Sequence, residues 1–199
     1  MAGPDTLDEY REKGDFSRTP EPPGEREAAA ALPVFVIQKH DATTLHYDFR
    51  LEVDGVLKSW AVPKGPSLDP KEKRLAVPTE DHPLDYADFE GVIPEGSYGA
   101  GTVLVWDRGT YRNLTEKEGR KIGVAEALGR GHVSFRLEGE KVRGGYALTR
   151  FRTKGEAWLL VKMDDAEADP GRNPVATEPR SVVSDRTLEE IAAGRDQDG

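Results

Sequence analysis

Three side chains capable of chemistry alternate within one short stretch of the sequence. His46, Asp48 and Arg50 occupy every second position, and Tyr47 and Phe49 stand between them. In an extended strand, alternate side chains point to the same face. The stretch therefore predicts a strand with one packed face and one face that presents an imidazole, a carboxylate and a guanidinium together.

A further histidine extends this set to a candidate metal site. His40 lies six residues before His46, and it shares the parity of Gln38 in the preceding predicted strand. With Asp48 they offer two imidazoles and one carboxylate, a donor set that suits Mn²⁺, Fe²⁺ or Zn²⁺ and leaves positions open for water and substrate. The chain has no cysteine, which excludes thiol catalysis, thiolate zinc sites and disulfide scaffolds. The alternative is a solvated strand face, although such faces are usually built from Lys, Glu, Thr and Ser.

The dipeptide Asp54–Gly55 predicts a two-residue type I′ hairpin directly after this strand. The predicted register pairs Val53 with Val56, Arg50 with Ser59, Asp48 with Ala61, Phe49 with Trp60 and Tyr47 with Val62. Small side chains then lie opposite the polar residues, and large ones lie opposite the aromatic residues. This arrangement predicts a pocket above the polar face.

The remaining chain supplies strands to support that hairpin. Eight short β-branched or aromatic runs predict strands at residues 34–38, 44–53, 56–62, 75–78, 102–106, 133–137, 145–151 and 158–163. One helix is predicted at 115–128, from a capping-box pattern at Thr115 and Glu118. The glycine-rich residues 91–101 predict a tight turn. We expect a mainly β fold, a closed or nearly closed barrel with one or two short helices and extended acidic tails.

Charge divides the 199 residues into three parts. The net charge of −9 is concentrated in residues 1–33 (4 basic, 8 acidic) and 164–199 (4 basic, 10 acidic), whereas residues 34–163 carry 20 basic and 19 acidic side chains. We expect an N-terminal arm partly ordered over the active site, a barrel domain at 34–163, and a flexible acidic tail with a short helix near 185–193. Deleting residues 166–199 should then leave the core folded.

No stretch has the length of a membrane span or the order of a secretory signal. The sequence therefore predicts a cytoplasmic monomer without membrane contact. Within the neutral barrel domain, Lys64 in a stiff Pro–Lys–Gly–Pro turn and Arg74 are candidates, with Arg50, to hold a phosphate. His132 is expected to be structural.

Residues 36–51, 59–67, 81–86 and 89–99 closely resemble the 3′-phosphoesterase domain of bacterial DNA ligase D. The resemblance implies a β-barrel, manganese-dependent DNA repair enzyme. Such an enzyme trims a terminal ribonucleoside from a primer strand and then removes the 3′-phosphate left behind. The implied cofactor is Mn²⁺, with Co²⁺ or Zn²⁺ as alternatives. The implied partners are primer–template 3′ ends and the ligase, polymerase or Ku-type proteins of non-homologous end joining.

The resemblance also assigns roles to residues by position. The implied metal ligands are His40, His46 and Asp48; the phosphate-contacting residues are Arg50, His82 and Tyr86; the supporting residues are Gln38, Lys64 and Arg74. In the N-terminal segment Asp15 and Glu21 match, but Gly14 stands where an arginine is expected, and Lys13 or Arg18 would have to replace it. We expect Arg50 to bind the scissile phosphate by its fork and His82 to donate a hydrogen bond or a proton.

Two other functions are compatible with parts of this pattern. His46 and Asp48 with the distant His82 follow the ligand order of 2-His-1-carboxylate non-haem iron oxygenases, but that function leaves Arg50 unexplained. A DNA-end binding module without chemistry is the second alternative, favoured by Gly14 and the acidic tails and opposed by the intact metal ligands.

Overall fold

The structure, a computed structural model, describes residues 6–14, 19–22 and 32–194. The strands are β1 Val34–Asp41, β2 Leu45–Val53, β3 Val56–Val62, β4 Lys73–Pro83, β5 Gly91–Ile93, β6 Gly101–Asn113, β7 Glu116–Lys117, β8 Arg120–Lys121, β9 His132–Glu138, β10 Arg143–Arg152 and β11 Ala157–Lys162. The helices are α1 Asp8–Lys13, α2 Val124–Arg130, α3 Pro174–Thr177 and α4 Leu188–Gly194, with a 3₁₀ helix at Leu84–Asp88. Within these ranges, none of the helices has the length and apolar character needed to cross a membrane.

The strands close into an antiparallel barrel. They pair in the order β1, β2, β3, β4, β11, β10, β9 and β6, and β6 pairs again with β1. β5 adds to the first part of β6, and β7 with β8 forms a separate hairpin. The predicted mainly β fold is confirmed as a closed eight-stranded barrel.

The predicted hairpin register is also confirmed. Asp54 and Gly55 have φ values of 50° and 83°, the left-handed pair that a type I′ turn requires. All five predicted pairs occur between β2 and β3, from Val53 opposite Val56 to Tyr47 opposite Val62. Because side chains alternate between the faces, this register fixes which residues face the core.

The barrel wall carries apolar clusters on both faces around β1 and β2. Inside the barrel, Phe49 packs on Phe135 with ring centroids 5.7 Å apart, and Trp60 packs on Trp158 at 6.0 Å. A second cluster lies on the other face, against the 3₁₀ helix, β5 and α1, and its members are Tyr10, Val36, Leu57, Leu84, Tyr86, Ala87, Phe89, Ile93, Val103 and Val105. The alternate residues of β1 and β2 are therefore held from two sides.

The helix predicted to begin at Thr115 is wrong in its first part. The chain forms the hairpin β7–β8 there, and α2 begins only at Val124. Glu118 and Gly119 adopt φ values of 54° and 76°, which suit a hairpin turn and not a helix. The Thr115 hydroxyl donates to the Ser134 carbonyl at 3.2 Å and accepts from the Ser134 amide at 3.0 Å, so it does not cap a helix.

The glycine-rich residues 91–101 form more than the predicted tight turn. Gly91–Ile93 is the short strand β5, which pairs with the first residues of β6. The turn follows at 94–100, where the amides of Ser97 and Ala100 donate to the carbonyls of Pro94 and Ser97. A short added strand thus fixes the turn beside the end of β1.

Residues 178–194, the C-terminal strap, bind the barrel through their backbone. The indole of Trp106 donates to the Glu178 carbonyl at 2.8 Å, and the ammonium of Lys141 donates to the carbonyls of Glu178 and Arg180. The Val182 amide donates to the Val105 carbonyl at 3.0 Å. Each contact satisfies a polar group that would otherwise be buried without a partner.

Apolar side chains at the end of the strap join the barrel core. Leu188 and Ile191, both on α4, are 7% and 4% exposed and belong to the main cluster. The predicted short helix near 185–193 corresponds to α4, but the described part of this acidic segment is packed where the sequence predicts flexibility. The division of the chain at residue 163 stays a prediction. Because Leu188 and Ile191 are buried against the barrel, removing the segment should destabilise the fold.

We expect Ile191→Ala to destabilise the fold by about 2–4 kcal/mol, because it leaves a cavity under α4. The matched control is Val183→Ala in the same strap, where the side chain is 44% exposed and the expected change is within about 0.5 kcal/mol. Urea unfolding followed by circular dichroism measures both. Equal midpoints for wild type and Ile191→Ala would show that the strap does not stabilise the barrel.

Candidate metal and phosphate site

The site lies on the wall of the barrel that faces away from the main core. Across neighbouring strands, Gln38 pairs with Asp48 and His40 with His46, and Asp48 pairs with Ala61. Of these residues, all except Gln38 line a cleft of about 240 Å³. Its main side chains are Tyr10, Lys13, Glu21, His40, His46, Asp48, Arg50, Ala61, Glu80, His82, Tyr86 and Tyr98. The pocket predicted from the small residue opposite Asp48 is present.

Two register shifts lie beside this cleft. One occurs in β1 between Ile37 and Gln38, against β6, and the other in β3 between Leu57 and Ser59, against β4. A bulge re-aims the side chains that follow it. The second shift places Leu57 opposite His82, so that this histidine reaches the same cleft as the residues of β2.

His40, His46 and Asp48 converge as predicted. Their ligand atoms all lie within 4.8 Å of one another. The Asp48 carboxylate is 3.4 Å from Nδ1 of His40 and 3.2 Å from Nε2 of His46. Two nitrogens and a carboxylate thus surround one point, at the spacing that a divalent cation bridges.

Backbone carbonyls fix the orientation of both imidazoles. Nε2 of His40 donates to the Gly99 carbonyl at 2.8 Å, and Nδ1 of His46 donates to the Thr44 carbonyl at 3.0 Å. A carbonyl oxygen only accepts, so a neutral ring directs its unprotonated nitrogen toward Asp48. This second layer of contacts is the usual support of a metal-binding histidine. The residues therefore fit a divalent metal, and they leave its identity open.

The charges of the site are strongly coupled. Burial alone would raise the pKa of Asp48, but Arg50 and the two histidines hold that pKa far below its usual value. The hydrogen bond with Asp48 in turn raises the pKa of His46. Asp48 is therefore an anion at neutral pH, which is the form that binds a cation.

Arg50 is buried and held on several sides. Its Nε donates to Gln38 Oε1 and its Nη1 to Ser59 Oγ, both at 2.8 Å, while Nη2 lies 3.4 Å from the Asp48 carboxylate. Gln38 is itself fixed, because its amide donates to the carbonyls of Tyr86 and Phe89. Gln38 and Ser59 take two of the five N–H groups of the guanidinium. Only the remaining N–H groups of the guanidinium can therefore contact a phosphate, and not all five.

His82 sits beside Arg50 in a low-dielectric environment. Nδ1 of His82 lies 3.1 Å from Arg50 Nη1 and 2.9 Å from the Glu80 carbonyl, so it accepts from the first or donates to the second. Burial and the positive charge of Arg50 lower the pKa of His82 well below its ordinary value. The imidazole is therefore neutral at pH 7 in the free protein, where it can donate or accept a hydrogen bond. Its expected role at the phosphate, as a donor of a hydrogen bond or of a proton, stays a prediction.

The N-terminal segment covers the other side of the cleft. The Tyr86 hydroxyl donates to Glu21 at 3.0 Å, and the Tyr10 hydroxyl donates to the Pro22 carbonyl at 2.7 Å. The Tyr10 ring lies 5.0 Å from the His82 ring, and the Tyr86 ring lies 4.9 Å from the Arg50 guanidinium. Tyr86 therefore connects the segment around Glu21 to the phosphate-binding candidates.

Some predicted residues are not brought to the cleft. Lys64 is exposed in the turn after β3 and does not line it. Arg74 pairs with Glu72 at 3.0 Å and precedes His82 on β4 by eight residues, about 26 Å along an extended strand. Their supporting roles stay predictions. Asp15 and Arg18 fall outside the described residues.

Other residues of the cleft were not identified from the sequence. Tyr10 on α1 and Tyr98 in the glycine-rich turn line it. Lys13, named only as a substitute for an arginine, lies 3.5 Å from Glu80 and 4.7 Å from the Tyr98 ring. These residues are remote in sequence from β2, and no local pattern links them to it. The one local signal is at Tyr10, because a single aromatic residue among the charged residues of α1 indicates a side that packs on the protein.

The structure does not assemble the ligand order of the oxygenase alternative. His82 contacts Arg50, and its pKa is lowered by that cation, whereas His40 completes the group with His46 and Asp48. A guanidinium beside a histidine opposes a third metal ligand at that position. The cluster of His40, His46 and Asp48 is the candidate metal group within the described ranges.

Comparison with known proteins identifies similar sequences. Residues 38–150 match the DNA Ligase D 3′-phosphoesterase domain family. The chain is 55% identical over 188 residues to the multifunctional non-homologous end joining protein LigD of Pseudomonas aeruginosa, covering 92% of this chain and 22% of that protein. It is 48% identical over 167 residues to the corresponding protein of Mycolicibacterium smegmatis (81% and 21%) and 49% identical over 160 residues to that of Mycobacterium tuberculosis (80% and 20%). The chain thus spans about a fifth of the length of these relatives.

We expect His46→Ala to abolish measurable Mn²⁺ binding without unfolding the barrel, since His46 faces the cleft and not the core. Isothermal titration calorimetry measures the binding, and thermal unfolding checks the fold. His132→Ala is the control, because His132 is exposed, hydrogen-bonds to the Thr149 hydroxyl and does not line the cleft. Unchanged Mn²⁺ affinity in His46→Ala would remove this residue from the metal group.

Proposed function

The chain belongs to the DNA ligase D 3′-phosphoesterase domain family, and on this premise we propose that it is a divalent-metal-dependent 3′-phosphoesterase. It would act on DNA 3′ ends during the repair of breaks by non-homologous end joining. The observation that carries the proposal is the shared carboxylate of Asp48, which lies 3.4 Å from both His40 and Arg50. A metal group and a phosphate-binding cation thus meet at one side chain.

His40, His46 and Asp48 would hold the metal, for which we propose Mn²⁺, with Co²⁺ or Zn²⁺ as alternatives. A divalent cation supplies Lewis-acid chemistry when bound, since it withdraws charge from a phosphate oxygen. The carbonyls of Gly99 and Thr44 keep both imidazoles in the tautomer that binding requires. The protein contributes a preformed set of donors that need little rearrangement.

Arg50 and His82 would contact the phosphate of the substrate. The guanidinium is held by Gln38, Ser59 and Asp48, so its remaining N–H groups have a fixed direction. Such preorganised donors stabilise charge that develops in a transition state without reorganising at that moment. His82, neutral and buried beside Arg50, would donate or accept one hydrogen bond at the same phosphate.

The proposed substrate is the 3′ end of a primer strand. Hydrolysis of the last phosphodiester would release a terminal ribonucleoside and leave a 3′-phosphate, and a second hydrolysis would release that phosphate and leave a 3′-hydroxyl. Both steps take place at a phosphorus atom that carries a 3′ oxygen, so one cleft serves both. The relatives named for end joining support this substrate class.

The N-terminal segment would complete the site. Glu21 accepts from Tyr86 and from Thr19, which fixes its carboxylate at the cleft. Lys13 stands at the same cleft, next to the Gly14 that replaces the expected arginine. We propose that Tyr86 acts by holding Glu21 with its hydroxyl and by packing its ring against the Arg50 guanidinium. We also propose that Asp15 contributes as the resemblance implies. The proposed state is a monomer working on cytoplasmic DNA, beside ligase, polymerase or Ku-type proteins.

The direct test is turnover on a primer with one 3′-ribonucleotide and on a primer with a 3′-phosphate, with and without Mn²⁺. We expect shortening to a 3′-hydroxyl only with metal, and none with His46→Ala. Metal-independent turnover would contradict the proposed chemistry. Binding of the primer without any turnover in Mn²⁺, Co²⁺ or Zn²⁺ would favour the binding module.

We expect Arg50→Lys to lower kcat/KM by an amount equal to about 2–4 kcal/mol of transition-state stabilisation. Lysine keeps the charge but cannot contact Gln38, Ser59 and the phosphate together. Arg108→Lys is the matched control, since Arg108 is exposed and pairs with Asp88 on the surface. Near-wild-type kcat/KM for Arg50→Lys would contradict this role of the guanidinium, since a single positive charge would then be enough to stabilise the transition state.

We expect His82→Gln to lower kcat while leaving the shape of the kcat/KM–pH profile unchanged between pH 6.5 and 8. Because the pKa of His82 is lowered well below 6.5, its protonation in the free enzyme is complete only at more acidic pH. Kinetics across pH on both primers measure this. If a limb of the wild-type profile between pH 6.5 and 8 disappears in the variant, His82 is the proton donor after all.

A further inference from the structure

An apolar strip of side chains lies on the outer wall of the barrel beside the cleft. We call it the outer ledge, and its members are Ala61 of β3, Leu75 and Val77 of β4, and Leu159 and Val161 of β11. Leu75 and Val77 are 43% and 38% exposed, which is unusual for adjacent aliphatic residues of one strand face. Leu75 lies directly opposite Leu159 in the pairing of β4 with β11. The ledge is therefore one patch and not a scatter of single residues.

The ledge is continuous with the metal group. Asp48 pairs with Ala61, and Ala61 pairs with Val77, so the three lie side by side on successive strands. With strands about 4.8 Å apart, Val77 is about 10 Å from Asp48 across the sheet. Along β4, the alternation that exposes Leu75 and Val77 continues to Thr79, which lines the cleft. A ligand that leaves the cleft across β3 meets the ledge first.

The charge of the ledge suits a polyanion. On the same face of β4, Lys73 lies two residues before Leu75, at the end of the strand farther from the cleft, and it pairs with Val161. Lys73 is exposed, and the outward positions 73, 75, 77 and 79 of β4 carry no carboxylate. An aliphatic strip that ends in a cation offers one surface for sugars and bases and one charge for a phosphate.

We propose that the outer ledge binds the nucleic-acid strand that carries the reacting 3′ end. Its sugars and base edges would rest on Leu75 and Val77, and a backbone phosphate would contact Lys73. This inference rests on the proposed function, because it takes the substrate class from it. A second copy of the chain fits less well, since five aliphatic side chains cover a small part of the roughly 800 Å² that each partner of a stable complex buries.

The test is the affinity for a fluorescent all-DNA primer–template with a 3′-hydroxyl end, measured by anisotropy in the presence of Mn²⁺. This end carries neither the terminal ribonucleotide nor the 3′-phosphate of the proposed substrates, so binding is measured apart from the proposed turnover. We expect Leu75→Glu and Val77→Glu to raise Kd at least about tenfold. Leu114→Glu is the control for added charge, because Leu114 is 42% exposed and bonds to β9, three strands from β4. It should stay within about twofold of wild type.

Lys73→Ala should lower the slope of log Kd against log salt concentration by about one, as expected for one lost phosphate contact.

Urea unfolding confirms that each variant is folded, and Val77→Thr keeps the branched shape should Val77→Glu not fold. Unchanged Kd in the folded Leu75 and Val77 variants would overturn the proposal. So would wild-type self-association that Val77→Glu abolishes, since a second copy would then occupy the ledge. Absence of turnover in wild type would overturn the proposed function, whereas the Kd values of the variants would still decide whether the ledge binds DNA.

Discussion

The buried carboxylate of Asp48 is the constraint on which the rest of the site depends. It is 6% exposed, and an anion so far from water is stable only with charged or hydrogen-bonding partners. His40, His46 and Arg50 provide these partners at 3.2–3.4 Å. Each of them is then fixed by a further group, namely a backbone carbonyl for each histidine and Gln38 with Ser59 for the arginine. Removing Asp48 would leave the buried Arg50 guanidinium without its counter-ion and the two imidazoles without their shared partner.

The barrel holds this arrangement because its wall is packed from both sides. Residues of β2 that point inward, such as Phe49, form the aromatic core, while their neighbours face the cleft. The 3₁₀ helix, β5 and α1 cover the outer face and enclose the polar residues between apolar ones. Glu90 connects the C-terminal strap to β6 of the same wall, because its carboxylate accepts from the Val105 amide and from the Ser181 hydroxyl. A rigid wall of this kind keeps donors in place for a phosphate.

The sequence predicts the parts of this site that are local to the first hairpin. Alternation in β2 and the Asp54–Gly55 turn determine the two faces and the pairing, and both are confirmed. The contribution of His82 follows from a register shift between β3 and β4, which no periodicity reveals. Tyr10 reaches the cleft from a separate helix, and Gly99 contributes only a carbonyl, for which residue type carries no signal. The burial of Ile191 is hidden by the acidic residues around it, which make the strap resemble a solvated tail.

Anomalous diffraction at the manganese edge, from crystals grown with Mn²⁺ and inorganic phosphate, tests the central claim most directly. We expect one strong peak about 2.2 Å from Nδ1 of His40, Nε2 of His46 and the Asp48 carboxylate. Phosphate density should lie between that peak and the guanidinium of Arg50. A peak coordinated by His82, or phosphate bound elsewhere with no manganese among His40, His46 and Asp48, would contradict the claim.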